Sequence, residues 1–421
     1  MHTLNGTVLQ PRSADTCDVI ANASVQLNDD GKIAEVTSGK ASTSGDAVGG
    51  EGCWILPGFI DAHLHVSQWD RRGLDGSSLF DWLETIVHPA EQRMADLDFA
   101  GDLAERFVAG MITNGTTTVA AFGSPFATAT DRVFDVFARR GLRAIYGMVL
   151  NDMNWPDALC VPADEALDQS RELAVKWHGA GDGRLQYAFS PRMATCCSET
   201  LLHGVVALAE MIDCHIFTHV AESSDQEDQV RDRFPDYIDD VDLFDDMGLL
   251  GPRTLLGHGV CLSDSQRRQV AGKQASVVHC PTANLFLESG LMDYVSHRKA
   301  GIRIALGSSI AAGPEPFMPQ VAVAALQTAK ALKVHAVPRR SYPVPTPAEG
   351  WWLLTRGAAE ALNMGDRIGA IESGYEADCL VVRPEPWIAD LPTEQQVSAL
   401  LYTLRPQQIE HVFIAGRRVG V

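Results

Sequence analysis

No stretch of this 421-residue sequence approaches the roughly 20 consecutive apolar residues that a membrane-spanning helix requires. The first ten residues carry neither a basic start nor a sustained apolar run, so a cytoplasmic protein is expected. Cysteines in C-x-x-C spacing are lacking as well. The nine cysteines are odd in number and include the adjacent pair Cys196 and Cys197, which argues against a disulfide framework and for a reducing compartment. Positive charge is in short supply: 34 Lys and Arg stand against 54 Asp and Glu, a net charge of -20. That balance speaks against nucleic acid or an anionic membrane as a partner. A small neutral substrate stays open, because one pocket can differ from the whole surface.

What the sequence does contain is alternation. Apolar, β-branched runs recur as "WILPGFIDAHLHV", "TTTVAAFG", "RAIYGMVL", "LQYAFSPR", "CHIFTHVAES", "TLLGHGVCLS", "ASVVHCPTAN" and "IRIALGSS". Most are separated by an amphipathic segment such as "ATDRVFDVFARRG", with apolar residues three and four apart. A long helical stretch is expected from Leu79 to Met111. Continuous apolar runs are the pattern of parallel strands buried on both faces. Eight β-then-α units predict an α/β fold, a distorted TIM barrel over residues 57–368. The ends, 1–56 and 369–421, hold short strands joined by Gly- and Asp-containing turns. Neither end could bury a core alone, so together they are expected to form a small β-sandwich.

In such a barrel, reactive groups belong at the C-terminal ends of the strands. "DAHLHV" puts His63 and His65 two apart, hence on one face of a strand. "FTHVAES" supplies His219 and, three residues on, Glu222; "GHG" supplies His258 and "HCP" supplies His279. A lone histidine on a strand is usually a hydrogen-bonded core residue. Four strand ends bearing histidine, one of them doubly, point instead to a metal: zinc foremost, with iron also suited to imidazole. Three histidines around an ion with an open position make a hydrolytic site. The ion lowers the pKa of water from about 15.7 towards ~7, and a carboxylate such as Glu222 carries a proton to the leaving group.

With these motifs the sequence resembles the amidohydrolase superfamily and, within it, the guanine deaminases. The resemblance spans nearly the whole chain and includes "PGFIDAHLHVSQ", "NGTTTVAAF", "SPRMATCCSETLL", "VVHCPTANLFLESGL" and "GAIESGYEADCLVV". It implies that His63, His65 and His219 are metal ligands and that Glu222 is the proton shuttle. It implies that His258 orients the attacking water, that Gln68 hydrogen-bonds the purine edge, and that Arg192 reads a ring carbonyl. Met193 takes the place of an aromatic residue that packs on the ring in the family, and His279 is a further candidate beside the substrate. A homodimer and a small heterocyclic substrate are implied too.

One position departs from the family pattern. The eighth strand should end in glycine, threonine and aspartate, and here it reads Gly307, Ser308, Ser309. The aspartate would ligate the metal and accept a proton, and a hydroxyl is a poor base at neutral pH. General-base help is worth roughly 10²–10⁴ in rate. Three readings follow: guanine deamination with His258 and Glu222 sharing the proton work; hydrolysis of another heterocycle, such as a pterin, another purine or a triazine; or a metal- or purine-binding protein impaired at Ser309.

Overall fold

The computed structural model describes residues 2–39, 47–74, 78–335 and 342–420. Eight parallel strands follow one another around a barrel: β1 (Phe59–His65), β2 (Thr116–Phe122), β3 (Arg143–Gly147), β4 (Leu185–Pro191), β5 (His215–Val220), β6 (Thr254–His258), β7 (Ser276–His279) and β8 (Arg303–Leu306). Almost every residue on them is buried, as their unbroken apolar sequences require. The seam between first and last strand is joined by backbone bonds just beyond β8: Ser309 N–H donates to His63 O (2.8 Å) and His65 N–H to Ile310 O (2.9 Å). The seam therefore lies where the site-bearing residues are.

Helices cover the outside, at least one between successive strands. Ala127–Arg140 is representative: Val133, Phe134 and Phe137 face the barrel, and Gly141 ends the helix in the left-handed conformation (φ 78°) that glycine adopts without strain. The long helix expected from Leu79 to Met111 is broken into short turns that precede Leu97–Thr113. Two local causes stand out. Pro89 cannot continue a helical hydrogen-bond ladder, and Asp96 caps the later helix by accepting from the Asp98 and Phe99 amides (3.0 and 3.1 Å). The broken segment consequently lies across the barrel mouth, and Leu79, Trp82 and Leu83 line the cavity there.

The two ends of the chain join in one seven-stranded hydrogen-bonded path, running from Arg417–Val419 at one edge to Ile33–Ser38 at the other. Strand periodicity divides its side chains between two cores. Trp54, Leu56, Leu380 and Val382 join the core of the barrel, whereas Cys53, Ile55, Cys379 and Val381 enclose a smaller one with Leu4, Val8, Val25 and Phe413. Arg143 at the start of β3 adds a buried anchor, its guanidinium bonded to Asp378 (2.8 Å) and Glu376 (2.5 Å).

Candidate active site

Alternation along β1 turns Asp61, His63 and His65 to one face, inside the barrel, and all three are buried. His219 ends β5 and His258 ends β6, so four imidazoles meet. One ring nitrogen from each of His63, His219 and His258 lies within 4.8 Å of the others. His65 completes the group, its Nε2 standing 3.2 Å from Nε2 of His219.

These groups fit a cation. His63 Nε2 and His65 Nδ1 are buried and have no hydrogen-bond partner among the described residues. His219 Nδ1–H donates to the Arg192 carbonyl (2.6 Å), which leaves the Nε2 lone pair directed at His65. Burial first, and then repulsion from neighbouring cationic groups, holds His63, His65 and His219 well below the ordinary imidazole pKa. Neutral imidazoles with inward lone pairs are the form in which histidine binds a metal.

Beside the cluster lies a cavity whose wall includes His65, Gln68, Arg192, Met193, His219, Glu222, His258 and Ser309. Glu222 Oε1 is 3.5 Å from His258 Nε2, and the Glu222 amide is fixed by the Gln226 side chain (2.9 Å). His258 Nδ1–H donates to Asn284 Oδ1 (2.8 Å). Gln68 Oε1 accepts the Ala311 amide (3.1 Å), so its NH₂ group is the part left to donate. His279 does not line the cavity; it is buried behind the rim, and burial pulls its pKa down to about 3.

Arg192 has partners that pattern reading passed over. Its guanidinium bonds to Glu91 (2.6 Å), both side chains being buried, and lies 4.8 Å from the Trp155 ring centroid. Neither partner sits in a recognisable motif: Glu91 looks like any acid in a helical stretch, and only the fold brings it to residue 192. Asn284 and Asp61 went unnoticed for the same reason. Asp61 is wholly buried and accepts the Ser308 amide (2.9 Å) and hydroxyl (2.5 Å). Burial pushes its pKa up to about 7 against the opposing effect of those bonds. Ser309 lies above this pair in a left-handed conformation (φ 49°), Oγ 3.5 Å from His258 Nε2.

The amidohydrolase family pattern matches residues 54–419. The chain belongs to the amidohydrolase family. It is 32% identical to the guanine deaminase of Escherichia coli K12 across 78% of this chain and 73% of that protein. It is 26% identical to the guanine deaminase of Homo sapiens over 99% and 96% of the two chains. The solved guanine deaminase structure from E. coli superposes with a TM-score of 0.91, at 26% identity, over 100% and 99% of the chains. Membership of this family makes the protein a metal-dependent hydrolase.

Proposed function

We propose that this protein is a hydrolytic guanine deaminase, converting guanine and water to xanthine and ammonia. The observation that carries the proposal is that Gln68, Arg192 and Glu222 converge on one small cavity beside a cluster of four imidazoles. Its similarity to guanine deaminases from distant organisms supports the same reading.

Each residue then has a task that its surroundings permit. Arg192 is already neutralised by Glu91, so it acts as a fixed fork of donors for a neutral ring carbonyl rather than as an attractor of anions. The Gln68 NH₂ donates to the purine edge. Such buried donors reject adenine, which would leave them unpaired. Met193 and Trp82 pack against the ring. His63, His65 and His219 hold the metal, best matched by zinc, with Fe²⁺ also suited to these donors. When bound, the metal supplies Lewis acidity that makes water a stronger acid near neutral pH.

Glu222 accepts a proton from the attacking water and passes it to the ring nitrogen beside C2. The C2–O bond forms. Glu222 then takes the proton of the new C2–OH and gives it to the amine, so that the C2–N bond breaks, ammonia leaves and the hydroxyl oxygen becomes the xanthine carbonyl. The Glu222 carboxylate stands 3.5 Å from His258 Nε2, beside the imidazole cluster. Within this reading the protein is cytoplasmic and a homodimer; its nine free thiols favour the first and the family resemblance the second.

The deciding experiment measures ammonia release from guanine by the zinc-loaded protein beside its Ser309→Asp variant. Turnover by the native chain is the expected result. Activity in the variant alone would reduce the native protein to an impaired binder. Inactivity in both would overturn guanine as substrate and turn attention to pterins, other purines and triazines.

A further inference from the structure

The seam between β8 and β1 lacks the acidic side chain that would complete the coordination of an ion. We propose that His258 takes that place, so that the ion is held by four imidazoles, those of His63, His65, His219 and His258, and by no carboxylate. This goes beyond the deaminase reading and depends on it only in requiring an ion at the site.

The orientation of the ring is the first argument. His258 is fixed as His219 is fixed: each donates Nδ1–H outward to a carbonyl-type oxygen, Asn284 Oδ1 at 2.8 Å and Arg192 O at 2.6 Å. Each therefore presents the Nε2 lone pair inward, the arrangement typical of metal-bound histidines. A neutral histidine with its proton on Nδ1 has no Nε2–H to offer a water. Its inward nitrogen is an acceptor, free to take a weak hydrogen bond such as that from Ser309 Oγ (3.5 Å) or to bind an ion.

Distance is the second. Ring nitrogens of His258, His63 and His219 form the compact group within 4.8 Å, a spread that metal–nitrogen bonds of about 2.0–2.1 Å nearly bridge. The backbone is arranged for this approach. Gly257 lies against the His63 ring, where an added Cβ would sit 2.5 Å from Cε1, so the strand carrying His258 closes on His63 only because residue 257 is glycine. His258 itself holds a left-handed conformation (φ 72°), uncommon for a residue with a side chain and characteristic of functional sites. Ser309 Oγ stands 3.5 Å from His258 Nε2, a contact long enough for an ion to displace.

Four neutral imidazoles cancel none of the ion's charge, whereas a carboxylate ligand would cancel one unit of it. The all-imidazole set thus compensates electrostatically for the missing base, since a more positive centre acidifies water more strongly.

Cobalt reconstitution tests the assignment. Apo protein is loaded with Co²⁺, and its affinity is read by competition with a chromophoric chelator, alongside the visible spectrum. His258→Ala should weaken Co²⁺ binding by more than about 100-fold, beyond the 10–100-fold typical of losing an outer-shell partner, and should alter the spectrum. Adding Ser309→Asp to it should recover most of the affinity. A smaller loss, or an unchanged spectrum, would overturn the proposal. Native Co²⁺ protein provides a check that needs no variant: four paramagnetically shifted, exchangeable imidazole N–H resonances are expected, and three would refute the assignment. Guanine turnover is measured on the same samples. Native turnover with Co²⁺ retained in His258→Ala would sink this inference alone; tight four-histidine binding without turnover would sink the deaminase reading alone.

Discussion

The ends of β1 and β8 lie side by side and are chemically opposite. β1 brings an acid and two imidazoles to the barrel interior, Asp61, His63 and His65; β8 is followed by two hydroxyls, Ser308 and Ser309. A carboxylate is present at this seam, yet it lies one layer below the rim and is bound to Ser308. Depth decides what a carboxylate can do. Buried beneath the histidines, Asp61 pins the backbone of the adjacent strand end; only at the level of residue 309 could an acid meet an ion or a water. A second buried acid pins backbone at the end of β5, where Asp240 accepts the Ala221 amide (2.8 Å). Chemistry at the rim is left to Glu222.

The comparison is most easily broken at that rim carboxylate. Glu222→Gln should lower ammonia release by about 10²–10⁴ without altering thermal unfolding, and undiminished turnover would move the proton work elsewhere. Next in size is Glu91→Gln. It leaves the Arg192 guanidinium buried without a charged partner, a change that typically costs about 3–5 kcal/mol, and should raise KM for guanine. Unfolding by denaturant measures the first effect, and an unchanged midpoint would mean that Arg192 finds another partner.

The two serines should separate by depth. Ser308→Ala removes a hydroxyl bonded to a buried acid and should cost about 1–3 kcal/mol of stability. Ser309→Ala, whose Oγ has only a 3.5 Å contact with His258, should cost less than about 1 kcal/mol. Equal losses would erase the distinction between the layers. A further effect, comparable to that of Ser308→Ala, concerns pH. Burial pushes Asp240 up to about 7, so folding favours its protonated form. That contribution is complete below the ordinary carboxylate range and is lost as pH rises through about 7. Asp240→Asn should therefore become more favourable, relative to native, between pH 5 and pH 8. Denaturation at both pH values checks this, and a constant difference would show that Asp240 does not titrate in that window.

Much of this site was legible in the chain because parallel strands turn sequence position into spatial position. A residue that ends an apolar run faces the barrel mouth, so His63, His65, His219, Glu222 and His258 could be placed together before any coordinates. His279 ends β7 as well, yet it is fully buried and is not among the residues that line the cavity. Ending a strand fixes height along the barrel, not the direction of a side chain. Glu91, Asn284 and Asp61 had no such signal, since each matters through one partner at least 26 residues distant.

By itself, then, the sequence determined the barrel, the histidine-bearing strand ends and the absence of an acid at 309, all of which follow from local periodicity and residue identity. Tertiary structure alone decided which groups those residues bond. Arg192 became a neutralised donor because Glu91 crosses the barrel mouth to meet it. Asp61 was excluded from the rim because the β8 seam closes over it. The outward pull of Asn284 gave His258 an inward lone pair. Each outcome depends on distances between segments far apart in the chain, and those distances exist only once the barrel has closed.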